Sequence, residues 1–300
     1  MIGKGTRQEP LMKRRRTIET MSRPDHEIYT HSHRPAILAA HGRRTAEEAA
    51  AFLLPHLEPG MEVLDLGCGP GSITVGLARY VAPSLVVGID RASAAVDHAT
   101  AYAADQHLDN LRFELADVYA LPFAPGSFDV VYAHQLLQHL ADPVAALREA
   151  ARVLRPGGYV AVRDGDYGTM THHPNDPAID HWLEVYRTVA RANGGEPDAG
   201  RHLLEWVLAA GFDHIHAGAS SWVFASPEDR RWWAELWAGR TDPQPDGAGG
   251  LTPYALRVEE LGVATHDDLV ASAAAFRNWA DQPAGWFAFI HGEVLASKPA

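Results

Sequence analysis

The run Asp65-Leu66-Gly67-Cys68-Gly69-Pro70-Gly71-Ser72 holds the most informative chemistry of the chain. Glycines at alternate positions let a main chain adopt dihedrals closed to other residues and approach a ligand closely. The spacing excludes two well-known phosphate loops. A dinucleotide fingerprint needs glycine where Ser72 stands, and a Walker loop needs a Gly-Lys-Ser/Thr run that is absent. Asp90 follows at the end of the next apolar run, at the distance where a carboxylate suits the two hydroxyls of a ribose. Arg91 stands beside it, and Asp117-Val118 follows a third apolar run. Cys68 is the single cysteine, so no intrachain disulfide framework is available, and no base is visible to activate it as a nucleophile. The 17 histidines raise the question of metal. His31-x-His33, His172-His173 and His214-x-His216 come without an H-E-x-x-H or clustered-carboxylate spacing, so no metal is expected.

Along its length the chain alternates apolar runs with amphipathic stretches. Met61–Leu66, Leu85–Ile89, Leu111–Leu115, Phe128–Ala133 and Tyr159–Arg163 read as buried strands. Between them, helices are predicted from the capping box at Thr45 to about His56, over Ile73–Val81, from Ser93 to about Gln106 and over Pro143–Leu154. Alternation of this kind predicts an α/β fold with parallel strands, helices on both faces, and ligands beyond the carboxyl ends of the strands. The second half predicts helices over Pro177–Ala192 and Gly200–Ala210, a strand over Asp213–Ala225 and a last strand over Gly285–Ser297. Residues 226–283 read as a helical insertion before that strand, forming a substrate cover.

With Asp65 before it, the glycine loop resembles the first motif of class I S-adenosylmethionine-dependent methyltransferases. Asp90, Asp117-Val118, Ser127–Val131, His134–Leu140 and Leu154-Arg155-Pro156-Gly157-Gly158 follow in the family's order. The segment Tyr29–His33 and His41–Glu47 is similar to the one preceding the loop in ubiquinone/menaquinone C-methyltransferases and related natural-product enzymes. The resemblance implies a Rossmann-like sheet, mostly parallel with an antiparallel last strand, an N-terminal helical cover and S-adenosylmethionine as cofactor. It implies that Asp65, Gly67, Cys68, Gly69, Asp90, Arg91, Asp117, Val118, His134 and Gln135 surround that cofactor. Tyr29 would shield the sulfonium and Arg44 would pair with the methionine carboxylate, which a guanidinium binds through two N–H groups.

On the acceptor side, Tyr29, His134, Asp166 and His172 are candidates for orienting or deprotonating a substrate, with histidine suited to base work near neutral pH. Tyr167, Trp222, Trp233 and Trp237 are candidates for an apolar substrate wall, Trp233 and Trp237 falling on one helix face. The expected reaction is methyl transfer to a small apolar or aromatic acceptor, at carbon first and at oxygen or nitrogen next, in natural-product biosynthesis. A quinone-pathway C-methyltransferase and a non-catalytic S-adenosylmethionine-binding regulator stand as alternatives.

Composition supports this frame. At 46% hydrophobic and 21% charged residues, the 300-residue chain can bury a full core. A net charge of -12 disfavours a nucleic-acid partner. No run approaches a membrane-spanning length and the N-terminus has no apolar signal core, so a cytoplasmic protein is expected. Self-association stays open. Residues 1–16 carry six Lys and Arg against Glu9. Residues 1–25 are therefore expected to form a disordered basic tail, with residues 26–300 as the methyltransferase domain.

Overall fold

The computed structural model describes Thr30, residues 42–245 and residues 250–300. Seven strands form one sheet: β1 (Val63–Leu66), β2 (Val86–Asp90), β3 (Leu111–Leu115), β4 (Phe128–His134), β5 (Leu154–His173), β6 (Asp213–Phe224) and β7 (Trp286–Ser297). Their spatial order is β3-β2-β1-β4-β5-β7-β6. β1 to β5 run parallel, and β7 runs antiparallel between β5 and β6. The last strand is thus antiparallel, as expected, and inserts inside the sheet rather than at its edge. β1 and β4 are almost wholly buried, as their mainly apolar sequences require when helices cover both faces. β6 is mostly exposed along its length and closes the sheet as an edge.

Helices α1 (Ala46–Ala49) and α2 (Ser72–Val81) cover one face, where Ala46, Ala49, Leu53, Leu77 and Val81 pack on Val63, Tyr132 and Leu295. Helices α4 (Pro143–Val153) and α6 (Leu203–Ala209) contribute to the core of the other. Helix α3 (Ser93–Ala104) joins β2 to β3. The helix expected from Thr45 to His56 is shorter than that. Thr45 does cap it, accepting from the Glu48 amide at 3.3 Å, but α1 stops at Ala49 and a 3-10 turn follows over Leu54–His56. Beyond Ala49 the amides of Leu53 and Leu54 both turn to Ala50 O, and Pro55 sits in the first turn of the 3-10 segment, where its missing N–H is tolerated.

The larger correction concerns β5. The run predicted to end at Arg163 continues to His173, because β7 supplies partners beyond it: Thr171 faces Ala288, His172 faces Phe287 and His173 faces Trp286. Gly165 reads locally as a turn residue, and cross-strand pairing with His291 overrides that preference; the register shifts between Asp166 and Thr171, where the Gly168 amide bonds Asp198 instead. A long β5-β7-β6 ribbon therefore stands beyond the carboxyl end of β4. Helices α5 (Pro177–Ala192), α7 (Pro227–Thr241), α8 (Pro253–Leu261) and α9 (His266–Ala280) pack on it around Trp182, Trp237 and Phe276. Trp182 meets Trp237 at 4.5 Å and Phe276 at 4.8 Å between ring centroids. Side chains at Asp176, Ser226, Thr252 and Thr265 cap these four helices. Among the described residues, no helix is long and apolar enough to cross a membrane.

The ribbon is held to the turn Ala199–Arg201 by backbone proximity. A Cβ at Gly292 would lie 2.0 Å from the Gly200 carbonyl oxygen. Gly292→Ala is therefore expected to destabilise the fold by about 2–3 kcal/mol, since backbone cannot yield as a side chain does. Thermal unfolding checks this, and an unchanged melting temperature would contradict the packing.

Candidate active site

β1 delivers Asp65 and the glycine loop to the carboxyl edge of the sheet. Asp65 is buried and accepts a 2.6 Å hydrogen bond from Thr74 Oγ1 of α2. Burial pushes its carboxyl up to about 7, the Thr74 bond works against that rise, and the charge of Asp90 adds to it. Gly69 has φ +53, and a Cβ there would meet nothing within 4 Å. The turn thus leaves open space beside Gly69. α2 begins immediately afterwards at Ser72, with its amide groups directed where a carboxylate is favoured. Cys68 donates its backbone N–H to Ile89 O at 2.8 Å, and its thiol is buried and pushed well up by desolvation, so the side chain is inert packing.

Asp90 ends β2 and accepts from the amides of Gly69 at 3.1 Å and Ala92 at 2.9 Å, one on each carboxylate oxygen. A carboxylate has about four acceptor positions. Two bonds fix its orientation and leave capacity for two hydroxyls. Arg91 is exposed next to it. Asp117 is exposed and accepts from the Tyr119 amide at 3.0 Å, which shapes the turn carrying half-buried Val118.

The segment after β4 closes the other side. Gly67 is so near it that a Cβ would strike Leu136 Cδ1 at 2.9 Å. Gln135 adopts a left-handed conformation with φ 51, uncommon for a side-chain-bearing residue. Its amide donates to Arg163 O at 2.8 Å and its Nε2 lies 2.9 Å from His291 Nε2. His134 is buried, with its ring 6.4 Å from His291 and 5.9 Å from Trp222.

The remaining predicted residues divide. Arg44 lies with its guanidinium 5.2 Å from the Trp222 ring centroid. Tyr29 lies outside the described residues, as do His31 and His33; Thr30 accepts a 3.2 Å bond from Asn193 at the end of α5. Asp166, expected on the acceptor side, is instead held in a two-pronged ion pair with Arg201, both contacts at 2.6 Å. His172, expected in a loop, lies on β5 against Phe287 and accepts from the Asp176 amide at 3.1 Å. Tyr167, Trp233 and Trp237 are packed in the core of the helical layer: Tyr167 stacks on Tyr186 at 4.8 Å and Trp233 on Phe224 at 4.1 Å. Burying large aromatic area accounts for them. Trp222 stays half-buried beside His291.

Sequence reading gave no role to His291 or Glu293, and none of its own to Arg163 or Asp164. All but Glu293 are fully buried. Their signal was available as charge inside apolar strands, Val160-Ala-Val-Arg163-Asp164 and Phe287-Ala-Phe-Ile-His291, where a buried polar residue calls for a partner. Burial pushes Asp164 up to about 7. No cluster of three or more His, Cys, Asp or Glu able to hold a metal occurs among the described residues.

Comparison with known proteins agrees with this geometry. A family model described as a methyltransferase domain matches residues 57–211. An uncharacterised methyltransferase of Schizosaccharomyces pombe is 32% identical over 287 residues, covering 93% of this chain and 99% of its own. The ltbC protein of Aspergillus luteorubrus, named as a probable methyltransferase, is 31% identical, covering 85% and 92%. Among solved structures, YcgJ of Bacillus subtilis matches with a TM-score of 0.53 at 18% identity over 84% of this chain and 98% of its own, a likeness of fold. The chain belongs to the methyltransferase family, and its open Gly69 cradle, the start of α2 and the spare acceptor capacity of Asp90 fit that family's cofactor, S-adenosylmethionine.

Proposed function

We propose that this protein transfers a methyl group to a small aromatic or apolar acceptor, with carbon as the favoured site, in natural-product biosynthesis in the cytoplasm. One observation carries the reading: a short line of contacts links the cofactor loop to an aromatic wall. Gly67 abuts Leu136, Gln135 bonds His291, and His291 packs on Trp222 at 4.3 Å. An acceptor lying on Trp222 would therefore stand next to the cofactor's reactive end.

When bound, the cofactor supplies a methyl group activated by a sulfonium. The protein's part is holding and excluding. Asp90 takes the ribose hydroxyls, the start of α2 and Arg44 favour the carboxylate, and Val118 packs beside the base. Residues 226–283 act as the cover. Arg43 pairs with Glu228 of α7 at 3.1 Å and lies 5.3 Å from the Trp232 ring, tying the front segment to that cover and keeping water out.

Removing Asp90 strands two amides and the ribose hydroxyls. Asp90→Ala is expected to weaken cofactor binding by about 1–3 kcal/mol. Wild type incubated with methyl-labelled cofactor and a panel of phenols and quinols should pass label to product, read by mass spectrometry, and the variant should do so only at higher cofactor concentration. Cofactor binding without any label transfer would favour a regulatory role, and equal cofactor affinity in the variant would remove Asp90 from the site.

Asp65 gives a pH signature. Its folded-state value lies above the ordinary 3.8, so the protonated form is the one the fold favours, and this stability is lost as pH rises from 3.8 through about 7. Asp65→Asn removes that titration. The variant's melting temperature should fall less than wild type's across the same interval, and parallel pH profiles would contradict a raised Asp65.

A further inference from the structure

Around Trp222 lies a buried polar cluster that cofactor binding does not explain. Arg163 and His291 are both 0% exposed, at the heart of the sheet. Arg163 pairs with Glu293 at 3.0 Å, and its Nη2 donates to Ser220 at 3.0 Å. Its Nη1 is buried with no hydrogen-bond partner among the described residues. Gln135 Nε2 can only donate, so His291 Nε2 accepts from it. Burial together with the charges of Arg163 and Arg44 holds the imidazole neutral, far below the usual histidine range. The ring's one proton then sits on Nδ1, which is also buried without a partner. Two desolvated donors on the same sheet face as Trp222 are thus left unmet, a state that disfavours the unliganded form.

Charge points the same way. The guanidinium carbons of Arg163 and Arg44 lie 5.1 and 5.2 Å from the Trp222 centroid, and Glu293 is the one carboxylate paired with Arg163 there. Asp164 projects to the opposite sheet face, as its neighbour in the strand must, and bonds the Gln138 amide. Two guanidinium groups thus flank one flat aromatic surface.

We propose that Arg163 Nη1 and His291 Nδ1 hold the ionised hydroxyl of a phenolic acceptor whose ring lies against Trp222. This rests on the methyl-transfer reading in one respect, that the anion is the acceptor. The phenol's proton leaves to solvent, and the phenolate's charge spreads to the ring carbons ortho and para to oxygen. One of those carbons forms the new bond to the methyl carbon, the methyl–sulfur bond breaks with its electron pair on sulfur, and the ring carbon gives its proton to solvent to restore aromaticity. The subsite thereby selects phenols and activates them at carbon.

The test is titration of the full-length protein with 4-nitrophenol, whose visible band reports its ionisation, and with 4-nitroanisole, its neutral methyl ether, each with and without saturating S-adenosylhomocysteine. Wild type should bind the phenolate at least about tenfold more tightly than the ether, as charge-assisted hydrogen bonds require. Arg163→Gln and His291→Phe should each lose that preference when the two probes are compared at saturating S-adenosylhomocysteine. His291→Phe keeps a ring between Trp222 and Phe289, so it answers the question even where Arg163→Gln, which strands Glu293, fails to fold. Equal binding of the two probes, or a preference surviving in His291→Phe, overturns the proposal. A phenolate preference that S-adenosylhomocysteine abolishes in wild type also overturns it, by assigning the anion to the place of the cofactor carboxylate. Failure of wild type to bind S-adenosylhomocysteine sinks the cofactor reading instead, and the phenolate preference measured without it then decides the subsite alone.

Discussion

Gln135 is the point on which the site depends. Its left-handed backbone turns the chain sharply at the end of β4, its amide is fixed by Arg163 O, and its side chain reaches His291. A non-glycine residue held in this region costs on the order of 1 kcal/mol or more, and it persists where surrounding contacts over-determine it. Here the surroundings do so from two sides. β5 and β7 hold it below, and the glycine loop lies against Leu136 above. The same turn that narrows the cofactor cradle therefore sets the position of the buried Arg163–His291 cluster.

From that turn the architecture follows in order. A parallel sheet opens its carboxyl edge to ligands. The antiparallel β7 extends β5 and β6 beyond that edge, giving a wall that the parallel strands alone would not form. The wall is aromatic because it must support the helical layer, and Phe287, Phe289 and Tyr167 serve that layer's core. Trp222 lies at the layer's margin and is only half-buried. The front segment bridges the two halves through Arg43 to Glu228 and Arg44 to Trp222.

Much of the cofactor half was legible in the sequence because its signals are local. Asp65 to Ser72 announces a strand, a turn and a helix within one stretch, and Asp90 stands where the next strand ends. The bounds of α5, Pro177–Ala192, follow from a proline at its start and Gly194-Gly195 after it. The acceptor half was far less legible. Gln135 and His291 meet across 156 positions, and a pairing at that distance leaves no periodic trace. The extension of β5 was hidden because Gly165 and Gly168 look like turn residues, while the pairing with β7 that carries the strand on to His173 is made by residues far along the chain. Asp166 and His172 looked reactive by type, yet Arg201 and the Asp176 amide already use their polar atoms. Tyr167, Trp233 and Trp237 suggested a binding wall by type, and packing claimed them.

A site for an S-adenosyl cofactor at the glycine cradle and Asp90 is open to isothermal titration of the wild-type protein with S-adenosylhomocysteine. Saturable heat fitting one site per chain is expected, abolished by competition with S-adenosylmethionine and unaffected by adenine alone. Folded protein that gives no heat with S-adenosylhomocysteine would contradict it.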